Sequence, residues 1–223
     1  MNNDLNGNYL PNNMEALHSG RLWSGGRAFI VLAALLLSYF IPGGNLAGLL
    51  MLWLAALTAS DDWRAALREL GFHFSGIKWD WIIFGTPGLF IASSLAQWLT
   101  RVGLESCGIE YKTQFLAEYF LTLSGWRLIW LTFSIVIIAP LLEELVFRRI
   151  IFGWLLKFIG ATAAVLLTSL LFGLLHSVYQ LPGLLILALG WQYAYIKSGN
   201  LANNVLMHAL NNALTLILLL ITG

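Results

Sequence analysis

The chain has 223 residues, 59% hydrophobic and only 10% charged, whereas a soluble domain carries about 25% charged residues to furnish its surface. That deficit excludes an ordinary soluble fold, and a formal net charge of +1 leaves no electrostatic footprint for nucleic acid. Apolar runs approaching the roughly 18–20 residues that cross a bilayer core, with abundant Trp and Phe for the interfaces, predict an all-α, polytopic transmembrane helical bundle of about seven spans (six to eight).

Residues 1–20, rich in Asn, read as a flexible polar N-terminal tail. The first apolar run begins near Ala28 with no small-residue cleavage site after a basic region, so the first span is expected to serve as its own insertion signal. Spans are predicted at 27–42, 46–60, 79–101, 126–154, 160–180, 182–197 and 200–222. Pro42-Gly43-Gly44-Asn45 forms the turn between the first two. Asp61 to Lys78 is the longest charged stretch and reads as an amphipathic interfacial helix with a loop. A second polar segment, 104–125, contains Cys107, which as a single cysteine excludes an internal disulfide and reads as an inert thiol. Residues 21–125 are thus N-terminal transmembrane helices with interfacial loops, and 126–223 form the core in which the chemistry gathers. Of the 12 Lys and Arg, only Arg101, Lys112 and Arg127 fall on the side opposite the N-terminus, which predicts a cytoplasmic N-terminus.

In the fourth predicted span, Glu143 and Glu144 follow an almost purely apolar helix, and Ile150-Ile151-Phe152 resumes the apolar pattern after Arg149. An ionised side chain at mid-bilayer costs about 2.5–3.5 kcal/mol on insertion scales, so each needs a partner. Arg148 lies one helical turn after Glu144 and suits it as a partner. Glu143, turned about 100° away, is left to face another neighbour. Pro140 is expected to kink the helix and free a carbonyl about one turn earlier.

Two later spans supply histidines. Phe172 and His176 sit one turn apart on one helix, and His208 and Asn212 on another, while Asn211 faces elsewhere and packs. Either histidine alone reads more simply as a packing residue between helices; their joint occurrence with the glutamates points to one shared polar site. Centring the spans near 143, 172 and 210 brings Glu143, His176 and His208 to a common mid-span depth. That arrangement draws Arg148 and Arg149 into the apolar zone, paired or snorkelling.

Glu143-Glu144-Leu145-Val146-Phe147-Arg148 resembles the EExxxR motif of the CPBP family, the glutamic intramembrane proteases that include type II CAAX prenyl proteases. Phe172 to His176 is similar to the family's FxxxH motif, and His208 to Asn212 to its third, HxxxN-type motif, in the family's order. The resemblance covers roughly 126–222. It implies an intramembrane endopeptidase acting on a membrane-anchored peptide or protein, with no cofactor, in a prokaryotic plasma membrane. Glu143 would be the general base, His176 a holder of the water, and His208 and Asn212 the donors to the oxyanion. Glu144 and Arg148 would be the orienting pair, and Phe172 would shape the pocket.

Other readings stay open at this point. Glu143, His176 and His208 could hold zinc, although the HExxH spacing is missing. Buried Glu and His also relay protons in carriers, and some members of the family are linked to bacteriocin immunity without catalysis.

Overall fold

The computed structural model describes residues 62–111 and 115–222. Every regular element among them is helical, with no strand. The predicted spans at 27–42 and 46–60 lie outside the described residues.

Helix α1 is Trp63–Glu69, capped by Asp62, whose Oδ1 accepts from the Ala65 N–H at 2.7 Å. It is the helix expected between Asp61 and Lys78. Helix α2, Trp81–Ser106, is long and apolar enough to cross a membrane; exposed Cys107 is its C-cap. The short α3, Phe115–Thr122, follows.

The stretch Gly125–His176 is apolar and helical over 52 residues, yet it is not one rod. Gly160 has φ 73 and ψ 169, a backbone state that residues with a Cβ avoid, and it divides the stretch into α4 (125–159) and α5 (161–176). The T-shaped contact between Phe147 and Phe172, with ring centroids 5.1 Å apart, proves that the two fold onto each other, since a straight helix would separate these residues by about 37 Å. A 3-10 turn, Val178–Gln180, leads to α6, Leu181–Ser198, and left-handed Gly199 links α6 to α7, Leu201–Thr222. The expected span 160–180 thus ends early: the chain turns extended at Ser177, leaving His176 as the last residue of α5 rather than near mid-span.

Small residues let α2 and α6 approach closely, as in many membrane bundles. A Cβ on Gly183 would stand 2.8 Å from the Ser93 carbonyl, and one on Gly190 would strike the Leu89 side chain. Higher numbers on α6 meet lower ones on α2, so the pair is antiparallel. The core between α4, α5, α6 and α7 includes Phe147, Phe172, Leu187, Trp191 and Met207.

The segment after α1 is tied to the start of α7. Leu201 N–H donates to Gly71 O at 2.9 Å, Asn200 Oδ1 accepts from His73 N–H at 3.1 Å, and Asn203 Oδ1 accepts from Lys78 N–H at 2.8 Å.

Candidate active site

Two departures from α-helical register in α4 aim the glutamates. Ser134–Ile138 is π-helical, and Ala139 N–H bonds Ser134 O, five residues back. In that register the next donor should serve Ile135 O, but residue 140 is proline and has no N–H. Asn212 fills the gap: its Nδ2 donates to Ile135 O at 2.9 Å. The carbonyl freed by Pro140 is therefore five residues back, and the side chain that answers it comes from α7. Leu145–Phe152, directly after the glutamates, is a second π-helical stretch, a feature often found at functional sites.

Glu144 is fully buried and its carboxylate is completely engaged. Oε1 accepts from His208 Nδ1 at 2.9 Å, while Oε2 pairs with Arg148 Nε at 3.1 Å and accepts from Asn204 Nδ2 at 3.2 Å. The predicted Glu144–Arg148 partnership is present, and Glu144 also holds a histidine, which the spacing along α4 does not reveal. Arg148 does not snorkel. Its guanidinium lies 5.1 Å from the Phe172 ring centre and 5.7 Å from that of Trp191, so aromatic faces supply the contacts that water would otherwise give. Arg149 is also buried; its Nε and Nη2 donate to Glu69 O at 3.1 and 2.7 Å, capping the C-terminus of α1 where a cation is favoured.

Glu143 turns to the other side, with 13% of its side chain exposed, and its Oε2 stands 3.5 Å from His176 Nε2 and 3.7 Å from His208 Nε2. Both histidines are oriented through their second nitrogen. His176 Nδ1 meets Phe172 O at 2.7 Å; a carbonyl only accepts, so Nδ1 carries the hydrogen. His208 Nδ1 is the donor to Glu144. In the neutral rings each Nε2 is then an acceptor, and with the Glu143 carboxylate three acceptors converge on one spot. Such a spot is suited to a molecule with hydrogens to give. His176 remains 25% exposed, so the spot is reached from the end of α5.

Phe172 supports rather than faces this point: it is buried, 4.4 Å from the His176 ring and 6.0 Å from that of His208. Trp191 of α6 stacks on His208 with centroids 4.1 Å apart and 23° between planes. Asn211 is buried beside Asn212 on α7. Among the described residues no group of three or more His, Cys, Asp or Glu side chains is arranged to hold a metal ion.

Sequence reasoning passed over Asn204 and Trp191. Asn204, His208 and Asn212 recur every four residues along one face of α7, and that stripe was the available signal for Asn204. Trp191 gives none, because an apolar helix rich in aromatics hides the one ring that matters.

The helical membrane architecture and the converging Glu and His residues define a polytopic membrane protein with a buried polar site. Residues 125–214 match the family model described as Type II CAAX prenyl endopeptidase Rce1-like; that stretch, less than half of the chain, contains every site residue named above. Among curated proteins, the membrane-embedded CAAX protease MroQ of Staphylococcus aureus (strain USA300) is 33% identical over 92 residues, 38% of this chain and 37% of that protein. The chain therefore matches little more than a third of that relative's length. No solved structure matches.

Proposed function

We propose that this chain is an intramembrane endopeptidase of glutamic type, acting without a resident metal on a membrane-associated peptide. The observation that carries the reading is the convergence of the Glu143 carboxylate with His176 Nε2 and His208 Nε2, at 3.5 and 3.7 Å. Water there can donate to Glu143 and be held by His176. Glu143 takes a proton from it as the oxygen bonds the substrate carbonyl carbon, and the carbonyl electrons move onto oxygen. His208 in its protonated form directs Nε2–H at that oxyanion, with Glu144 at Nδ1 balancing the charge. Asn212 has one N–H committed to Ile135 O and contributes the other. As the intermediate collapses, the C–N bond breaks and the proton on Glu143 passes to the departing amine.

The membrane is read as a prokaryotic plasma membrane, with the N-terminus cytoplasmic. The substrate class is a peptide near its membrane anchor, with a C-terminal CAAX tail as the first candidate because the matched family is named for it.

The test uses purified protein in liposomes with three probes: a farnesylated CAAX peptide, the same peptide without its prenyl group, and a single-span membrane segment. Wild type is expected to cut at least one of them, and Glu143→Gln to lose about 10²–10⁴-fold in rate. His208→Gln should lose about 10²–10³-fold. A membrane-permeant chelator should leave the rate unchanged; loss restored by zinc would sink the metal-free mechanism. Cleavage unaltered in Glu143→Gln would defeat the assignment, and proton flux without cleavage would favour a carrier.

A further inference from the structure

We propose that Asn204 is a positioning residue that fixes the tautomer and the plane of His208, an inference that rests on the protease reading of the same site. Asn204 is fully buried in α7, one turn before His208. Its amide Nδ2 donates twice, to Glu144 Oε2 at 3.2 Å and to Trp191 O at 2.7 Å. These two acceptors belong to the residues that hold the imidazole. Glu144 takes the hydrogen of His208 Nδ1, and the Trp191 ring lies stacked on the imidazole face. One amide group on α7 therefore ties together the α4 carboxylate that sets which nitrogen of His208 carries its hydrogen and the α6 residue that sets the ring's plane.

The alternatives for this asparagine are weaker. An amide used only to satisfy buried groups needs no common connection between its acceptors, and both acceptors here lead to the same ring. Neither Asn204 hydrogen is left to serve a substrate, so the residue acts through His208 rather than on the reacting atoms. The remaining contact of Glu144 Oε2, Arg148 Nε at 3.1 Å, neutralises the carboxylate but lies on its own helix and cannot register α7 against α4. Without the Asn204 donor, the Glu144 carboxylate is free to turn toward Arg148. His208 Nδ1 then loses its acceptor: the neutral ring divides between its two tautomers, and the protonated ring used in catalysis loses the carboxylate that holds its plane and balances its charge.

Two measurements on the full-length protein in liposomes test this. In the first, 15N-histidine spectra of the Glu143→Gln protein, which needs no activity, are compared with and without Asn204→Leu. The resonance of His208, identified by its absence in His208→Gln, should report the Nδ1–H tautomer with Asn204 present and a mixture of tautomers without it. An unchanged tautomer in Asn204→Leu overturns the proposal whether or not the chain is a protease. The second is kinetic. Asn204→Leu should lower kcat about 10–100-fold, the scale of losses when a partner orienting a functional histidine is removed, with KM changed by less than about threefold. Equal changes in kcat and KM would count against a positioning role.

Asn204→Ser, which keeps a donor in less volume, should recover part of kcat and serves where the leucine variant does not fold. Asn204→Asp places a second carboxylate against Glu144 and donates only when protonated. Its rate relative to wild type should therefore rise as pH falls; a flat ratio would contradict the donor role. A wild type that cuts none of the three probes defeats the protease reading, and the tautomer measurement then decides Asn204 by itself.

Discussion

Arg149 shows how a single side chain can be buried and yet polar in its duty. Adjacent Arg148 and Arg149 look alike in sequence, but one turns to Glu144 and the other to the last carbonyl of α1. Hydrogen bonds from a charged donor contribute about 1.5–3 kcal/mol each. Arg149→Met is expected to lower stability by about 2–4 kcal/mol, because it removes two such bonds and leaves the Glu69 carbonyl without these donors. Arg149→Lys should recover part of this, since one ammonium lacks the planar fork. Chemical denaturation in detergent micelles, followed by near-UV circular dichroism, measures both; an unchanged midpoint in Arg149→Met would show that α1 needs no such cap.

At the scale of elements, α4 carries a deliberate irregularity. Pro140 removes the donor for Ile135 O, and Asn212 of α7 supplies one, so the π-helical turn is held open by a neighbouring helix. The two positions should therefore be coupled. Asn212→Leu alone leaves Ile135 O without that donor and is expected to cost about 1–3 kcal/mol, whereas in a Pro140→Ala background the restored N–H can answer the carbonyl and the same change should cost less. A double-mutant cycle on thermal unfolding should give an interaction energy of about 0.5–3 kcal/mol; strict additivity would show that the two act independently. This coupling also gives Asn212 a structural duty that the motif alone does not reveal. Gly160 makes the complementary point: one residue with positive φ turns a 52-residue apolar stretch into two packed helices.

The whole molecule ties its long apolar helices to the segment after α1, and it carries two ready-made reporters, His73 in that segment and Cys107 at the end of α2. His73, in the segment docked on α7, has its pKa held below the usual histidine value, first by burial and then by the nearby charges of Arg149 and Arg68. A lowered pKa means that the unfolded chain binds the proton more readily. Stability is therefore whole above the ordinary histidine value of about 6.5 and falls as pH drops through it toward the lower folded value. Unfolding midpoints compared between about pH 7.5 and pH 5.5 should fall, and His73→Asn should flatten part of that slope. An identical slope in the variant would clear His73 of the effect. Cys107, exposed at the end of α2, is the single thiol and reads topology without any engineered residue. With the N-terminus cytoplasmic, a membrane-impermeant maleimide should label Cys107 in intact cells from outside; labelling only after lysis would reverse the orientation.

Several features were legible in the chain itself because each is a local property. Apolar runs longer than a bilayer is thick leave no route but a helix, since backbone polar groups in lipid must be satisfied within the segment. That alone fixes an all-helical membrane protein, and helical periodicity pairs Glu144 with Arg148, Phe172 with His176, and His208 with Asn212. Periodicity relates residues on one helix and is silent on the angle between two helices. Only the packed structure could decide that Glu144 reaches His208, that Asn204 braces both, that Asn212 answers a carbonyl left by Pro140, and that Arg149 serves α1 rather than the site. The physical reason is that a buried polar group must find its partner in three dimensions, wherever the fold brings one.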